Sequence, residues 1–265
     1  MKPKPFLKWA GGKRWFVANY KNIIPQFNGK YVEPFLGSGV VFFHLTPRKG
    51  IIADINEELI TTYQAIKDSH VRVTNELNNL KELGADYYDV REWSPEDRIQ
   101  TAARFIYLNR TCWNGLYRVN KQGQFNVPRG TKKIENYPED DFSVISNSLQ
   151  KIHIRKSDFK RTIGYAREGD LVFTDPPYTV RHNNNGFIKY NENIFSWENQ
   201  KELSYSLIKA AERGCKIICT NANHSSIKAL YPKELFSIKE VSRFSSISSK
   251  TSSRNVYKEI IIQSI

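Results

Sequence analysis

The amino-acid sequence predicts an α/β protein with a mostly parallel sheet and a mostly helical insertion. Three observations predict it. Seven short β-rich runs are spaced along the chain, and helical patterns fall between several of them. The alternation then breaks between about 57 and 150, where helical patterns continue without a clear strand. Strands that alternate with helices are joined by crossovers, and crossovers make neighbouring strands parallel.

The strand runs, in order, are "KYVEPF" (30–35), "GIIADI" (50–55), "KIHIRKSDF" (151–159), "DLVFTD" (170–175), "CKIICTNA" (215–222), "ELFSIKEV" (234–241) and "VYKEIIIQSI" (256–265). "NEELITTYQAIKD" (56–68) reads as a helix with Asn56 as N-cap. "SWENQKELSYSLIKAAERG" (196–214) reads as another, with Ser196 as N-cap and Gly214 closing it. Its N3 residue is Asn199, not the Glu of a capping box. Inside the insertion, "VRVTNELNNLKELG" (71–84) and "PEDRIQTAARFIYLNR" (95–110) look helical. "TVRHNNNGFIKYNENIF" (179–195) and the Ser-rich "SRFSSISSKTSSRN" (242–255) read as loops, the second between two late strands.

Composition narrows the partner. The chain of 265 residues carries 40 Lys plus Arg against 27 Asp plus Glu, a net charge of +13. Such a surplus favours a polyanion. No apolar run is long enough to span a bilayer and no signal-peptide core is present, so a cytoplasmic protein without membrane association is expected. Cys112, Cys215 and Cys219 form no CxxC pair and read as buried free thiols. His44, His70, His153, His182 and His224 share no ligand spacing, so no metal is expected.

The charge concentrates in the insertion. Arg98, Arg104, Arg110, Arg118, Lys121, Arg129, Lys132 and Lys133 lie in one span with no acid between them. "NRTCWNGLYRVNKQGQFNVPRG" interleaves Arg, Asn and Gln with Trp113, Tyr117 and Phe125. Arg pairs with guanine and Asn or Gln with adenine through two hydrogen bonds each, and a flat aromatic fills a gap in a base stack. The segment is broken by Gly and Asn, unlike the clean apolar face of a membrane-binding helix.

A nucleoside site is also legible. "VEPFLGSGVVFFHL" passes from a strand through a turn with Gly37 and Gly39 into a helical pattern. Asp54 ends the next strand, 17 residues after Gly37, where an acid accepts ribose hydroxyls. The turn is not GxGxxG and has no added basic residue for a pyrophosphate, so a nucleoside without phosphates fits better. In "FLKWAGGKR", Trp9 beside a Gly-Gly turn and Lys13 is either a core anchor or part of that site.

"FLKWAGGK", "EPFLGSG", "ADIN", "NGLYRVNKQGQFNVP" and "TDPPY" stand in the order seen in Dam-like (D12 class, alpha-group) DNA adenine-N6 methyltransferases, and the chain resembles that family over nearly its whole length. The resemblance implies a Rossmann-like, S-adenosyl-L-methionine-dependent sheet (1–56 and 141–265) with an inserted helical target-recognition domain (57–140). It implies double-stranded DNA as partner, with no obligatory protein partner. By the same resemblance, Trp9, Lys13, Asp54 and Asp175 line the cofactor site and Phe35, Gly37 and Gly39 form its glycine loop. Asp158 and Phe159 of "KSDF" look like the acid–aromatic pair beside the cofactor's adenine. Asp175, Pro176, Pro177 and Tyr178 match the catalytic motif. Trp113, Asn114, Arg118, Asn126, Pro128, Arg129, Lys132 and Lys133 are the expected DNA contacts. "NVPRGTKK" departs from relatives that read GATC, with Thr131 where an Arg is common. A GATC-like start to the site is implied, and its inner and outer pairs stay open. An N4-cytosine methyltransferase and a non-catalytic DNA-binding protein of the same fold are the alternatives.

Overall fold

The structure is a computed structural model that describes residues 2–82, 84–120, 122–131, 139–178, 195–244 and 256–265. Its strands are β1 (Tyr31–Glu33), β2 (Gly50–Asp54), β3 (Ile152–Lys156), β4 (Leu171–Thr174), β5 (Lys216–Ala222), β6 (Phe236–Phe244) and β7 (Val256–Ser264). Each falls on one of the expected runs, but β6 continues through Ser242–Phe244, the start of the segment expected to be a loop, because these residues pair with Val256–Lys258 of β7. They form a seven-stranded sheet in the order β3-β2-β1-β4-β5-β7-β6. β7 runs antiparallel to both β5 and β6. The third run ends early because Asp158 leaves the strand to cap the next helix, accepting the Lys160 N–H at 2.8 Å.

The helices are α1 (Arg14–Tyr20), α2 (Val40–Leu45), α3 (Glu57–Glu82), α4 (Tyr87–Glu92), α5 (Arg98–Thr111), α6 (Glu139–Leu149), α7 (Phe159–Gly164), α8 (Trp197–Glu212) and α9 (Ser225–Lys228). Asn56 caps α3 as expected, its side chain accepting the Leu59 N–H at 3.0 Å. The two expected helices at 56–68 and 71–84 are both present and meet at Ser69, whose φ of −153° and ψ of 43° are not helical, so α3 is a kinked pair. In α8, Asn199 performs the capping-box task usually given to Glu: its Oδ1 accepts the Ser196 N–H at 2.9 Å. Gly214 follows α8 with φ +83°, the left-handed stop that glycine supplies.

The chain divides into two compact units. One contains 1–21 and 36–156, the other 22–35 and 157–265. In the first, β2 and β3 pair in parallel. Gln64 and Lys67 of α3 donate to the carbonyls of Ile154 and Ile152 at 3.0 and 2.8 Å, occupying acceptors on the sheet's outermost strand. Its core holds Phe6, Phe43, Tyr63 and Phe142, with Phe6 meeting the other three rings edge-on.

In the second unit β1, β4 and β5 are buried along nearly their whole length, and the α8 residues Leu203, Leu207 and Ala210 belong to the same core. This spacing of four and three residues is the apolar stripe of a helix lying on a sheet. The buried Asp170 fixes the entry to β4. Its Oδ1 accepts the Lys30 N–H at 2.6 Å and its Oδ2 the Arg167 N–H at 2.9 Å. Gly29 is required beside it, because an added Cβ would stand 2.2 Å from Asp170 Oδ1.

Cys112, Cys215 and Cys219 are buried free thiols, as expected, and burial pushes the Cys112 thiol up to about 11. No helix among the described residues is long and apolar enough to cross a membrane. The segments 179–194 and 245–255, which include most of both expected loops, lie outside the described residues.

Asp170→Asn turns one of two acceptors into a donor facing an N–H. It is expected to lower unfolding free energy by about 1–3 kcal/mol. Urea denaturation checks this, and an unchanged midpoint would remove Asp170 from its place in the fold.

Candidate active site

Each unit presents its own group of candidate residues. In the second, β1 and β4 are parallel neighbours, with Val32 beside Val172. Their C-terminal ends therefore lie at the same edge of the sheet. β1 leads into Pro34 and Phe35, and β4 into Asp175, Pro176, Pro177 and Tyr178. Four buried side chains hold this second run, three of them by direct bonds. The Thr220 hydroxyl donates to Asp175 Oδ1 at 2.8 Å. Gln200 Nε2 donates to the Pro177 carbonyl at 3.4 Å, and Asn221 Nδ2 donates to Gln200 Oε1 at 2.9 Å. The Tyr178 hydroxyl donates to Glu259 Oε2 at 2.5 Å, and Glu259 is 1% exposed.

Phe159 stacks on Phe35 with centroids 5.6 Å apart, and Phe195 closes the cluster against both rings. Asp158 is exposed at the start of α7. One of its oxygens accepts the Lys160 N–H, and a carboxylate has further lone pairs for a hydroxyl or amine.

In the first unit, Trp9, Lys13, Gly37, Gly39 and Asp54 come together in part. Asp54 accepts the Gly37 N–H at 3.1 Å and the Asn56 N–H at 3.0 Å, tying the glycine turn to the end of β2. Burial pushes its carboxyl up, against the pull of these backbone donors. Ile55, the next residue, is 65% exposed and adds an apolar surface beside the acid.

The glycines have a reason the sequence did not reveal. Gly37 has φ +49°, and an added Cβ would lie 2.7 Å from Trp9 Cδ1. Gly39 has φ +62°, and its Cβ would lie 3.1 Å from the Tyr63 hydroxyl. On these faces both glycines make room for protein side chains. Trp9 in turn stacks on Tyr117 (5.5 Å, 22°) and Phe105 (6.3 Å, 28°). The Tyr117 hydroxyl donates to Glu58, which also receives Arg104 Nη1 at 3.0 Å. Asn109 clamps the preceding residue, accepting the Lys8 N–H and donating to the Lys8 carbonyl, each at 2.8 Å. Lys13 is buried at the start of α1 and donates to the Gly11 carbonyl at 2.9 Å.

The expected DNA contacts between 112 and 130 lie on a hairpin-like loop, where no strand was expected. Val119 bridges Phe125 and Cys112 bridges Arg129, both antiparallel. Asn120 closes the tip, its Oδ1 accepting the N–H groups of Gln122 and Gln124 at 3.0 Å. Trp113 is 47% exposed, and Asn114, Arg118, Pro128 and Arg129 are exposed too. Asn126 is partly buried, and Arg118 donates to its Oδ1 at 2.8 Å and its carbonyl at 2.9 Å. The guanidinium is thus held by the opposite arm of the loop.

The uniform basic span is less uniform in three dimensions. Arg104 is buried against Glu58, Arg98 pairs with Asp68 at 2.8 Å, and Arg129 lies 3.7 Å from Asp86. Lys121, Lys132 and Lys133 lie outside the described residues.

Sequence reasoning missed Thr220, Gln200, Asn221, Glu259 and Glu58. Glu259 had a signal, since it precedes the buried run Ile260–Ile262 in β7, where a charge is costly unless it is held. The others became visible only through their partners.

The sheet order, Asp54 at the end of β2 and Asp175 directly after β4 define an α/β protein of the Rossmann-like methyltransferase type. The profile of the D12 class N6 adenine-specific DNA methyltransferases matches residues 9–247, and the chain belongs to that family. It is 34% identical to the type II methyltransferase M1.LlaDCHI of Lactococcus lactis subsp. cremoris, over 98% of this chain and 94% of the relative. It is 36% identical to the type II methyltransferase M.MjaIII of Methanocaldococcus jannaschii, over 91% of each. It is 32% identical to the DNA adenine methylase of Escherichia coli, over 98% of this chain and 95% of that protein. The family fixes the chemistry as methylation of adenine N6 in DNA and removes the N4-cytosine alternative.

Gly37→Ala combines a left-handed backbone with a clash against Trp9. It is expected to destabilise the protein by about 1–3 kcal/mol. Thermal unfolding checks this, and a wild-type midpoint would separate Gly37 from the placement of Trp9.

Proposed function

We propose that the chain transfers a methyl group from S-adenosyl-L-methionine to N6 of an adenine flipped out of double-stranded DNA, at a GATC-like site. The observation that carries the reading is the run Asp175-Pro176-Pro177-Tyr178 at the tip of β4, each end tied to a buried partner, in a chain of this family.

The donor set fits the cofactor. Asp54 and Asp158 offer carboxylate oxygens for hydroxyls and amines, and Ile55 offers an apolar surface. In this reading Asp54 takes the ribose hydroxyls, and Asp158 and Phe159 serve the cofactor's adenine. Trp9, Lys13, Phe35, Gly37, Gly39 and Asp175 are the further residues read as serving the cofactor. The bound cofactor supplies an electrophilic sulfonium methyl.

The target amine is a poor nucleophile because its lone pair is delocalised into the ring. Acceptors aimed at its two hydrogens favour the tetrahedral geometry that transfer needs. Asp175 supplies a carboxylate and Pro176 a carbonyl. Pro177 restricts the residue before it, which steadies that carbonyl. Tyr178 gives the extruded base a ring to stack on. Adenine in a duplex cannot reach such a pocket, so the nucleotide must flip out. The nitrogen becomes acidic only once methylated, so Asp175 need not be a strong base.

Residues 57–140 form the proposed target-recognition domain. Arg118 and Asn126 act as one unit there, with Trp113, Asn114, Pro128 and Arg129 on the same loop. Lys132 and Lys133 serve phosphates.

Asp175→Ala is expected to lower turnover by roughly 10²–10³. Labelled cofactor and unmethylated duplex DNA measure the rate, and sequencing the product identifies base and site. Near-normal methylation by the variant contradicts the reading.

Arg118→Ala is expected to cost about 1–3 kcal/mol on the proper site and to relax preference at one base pair. Asn126→Ala should weaken discrimination at that same pair. Lys132→Ala should weaken binding to every sequence alike and flatten the salt dependence by about one phosphate contact. Binding to single-base-pair variants at several salt concentrations separates these outcomes. An even loss across the panel for Arg118→Ala would make it a backbone anchor.

A further inference from the structure

We infer that Thr220 and Glu259 are positioning residues for methyl transfer, Thr220 fixing the carboxylate of Asp175 and Glu259 fixing the ring of Tyr178. The inference rests on the reading of Asp175 and Tyr178 given above and deepens it.

The sheet register puts the two residues on one face. In the antiparallel pair of β5 and β7, Thr220 stands opposite Ile261 and Ala222 opposite Glu259. Residues two apart on a strand, and residues directly opposite on neighbouring strands, share a face. Thr220 and Glu259 therefore project the same way from adjacent strands, and both reach the run after β4. Thr220 is 0% exposed and Glu259 is 1% exposed.

Burial makes Glu259 costly as a structural choice. A carboxylate before three buried isoleucines loses its hydration, and an apolar residue there would often leave a fold as stable or more so. Its bond from the Tyr178 hydroxyl, at 2.5 Å, has the short length of a charge-assisted contact. A phenol anchored at its tip cannot swing about its Cα–Cβ torsion, and because a phenolic O–H prefers the plane of its ring, a fixed acceptor also favours one ring plane before a base arrives. The Thr220 bond at 2.8 Å acts similarly on Asp175. With one oxygen anchored, the carboxylate cannot rotate and its acceptor direction is fixed. Together the two bonds set the angle between an acceptor for the amine and a stacking surface for the ring. That angle matters most at the transition state, so its loss should appear in kcat before KM.

The experiment compares Asp175→Ala, Thr220→Val, Thr220→Ser, Tyr178→Phe, Glu259→Gln and the Tyr178→Phe/Glu259→Gln double variant. Each is measured for kcat, for KM on unmethylated duplex, for cofactor affinity, and for fluorescence of 2-aminopurine at the target position. Thr220→Val should lower kcat roughly 10- to 100-fold while KM and cofactor affinity hold, and Thr220→Ser should restore it. Tyr178→Phe and Glu259→Gln should each lower kcat and leave the 2-aminopurine signal of a flipped base. The double variant should be no worse than the poorer single one. A purely structural role would instead shift thermal stability, show no kcat-against-KM split and give additive losses.

Wild-type kcat in Thr220→Val and Glu259→Gln, with Asp175→Ala inactive, overturns the positioning roles and leaves the proposed function standing. Near-normal turnover in Asp175→Ala overturns the proposed function itself. If Thr220→Val fails to fold, the Tyr178–Glu259 cycle decides for Glu259 and Thr220→Ser for Thr220. Additive losses in the cycle, or a Thr220→Ser variant as slow as Asp175→Ala, count against the inference.

Discussion

A polar turn at the buried end of a central strand must find a partner for each of its polar atoms, and the second unit is organised around that requirement. Asp175 follows a strand whose four residues are all buried. Neither it nor the Pro177 carbonyl can rely on water alone. β5 answers with Thr220 and Asn221, α8 with Gln200, and β7 with Glu259. Each of these is among the most buried polar residues of the protein. A satisfied polar network of this kind is rigid, because every rotation breaks a bond that nothing nearby replaces. Rigidity suits the role proposed for this run, which is to hold an acceptor and a ring at a set angle.

In the first unit the organising contact is apolar. Trp9 lies against Gly37 and stacks on Tyr117 and Phe105, so the N-terminal loop, the glycine turn and the exposed loop after α5 are packed on one indole. Polar groups finish the arrangement. Asp54 ties down the turn, Asn109 clamps Lys8, and Glu58 joins Tyr117 to Arg104. A side chain expected to serve a cofactor and one on the expected DNA-binding loop thus share a stacking surface.

The charge distribution tells a related story. A net charge of +13 draws a polyanion towards the protein. Part of the basic span nevertheless works internally. Arg104 bonds the carbonyls of Val90 and Arg91 as well as Glu58, and Arg118 is folded onto Asn126. Counting charges along a chain overstates what reaches a surface, because a long basic side chain satisfies buried carbonyls as readily as phosphates.

The sequence by itself determined the seven strands, the caps at Asn56 and Ser196, the family and the motif at 175–178. All of these are local signals, written in consecutive residues through apolar runs, capping side chains and turn-forming prolines. The tertiary structure alone decided the rest. It made the loop at 112–130 a hairpin whose pairs lie up to 17 residues apart, and it carried β6 on into the segment expected to be a loop. It also gave Gly37 to Trp9, and matched Thr220 to Asp175 and Glu259 to Tyr178. The physical reason is separation along the chain. Tyr178 and Glu259 are 81 residues apart, and no local pattern records which buried hydroxyl a distant carboxylate will meet until the sheet sets its register.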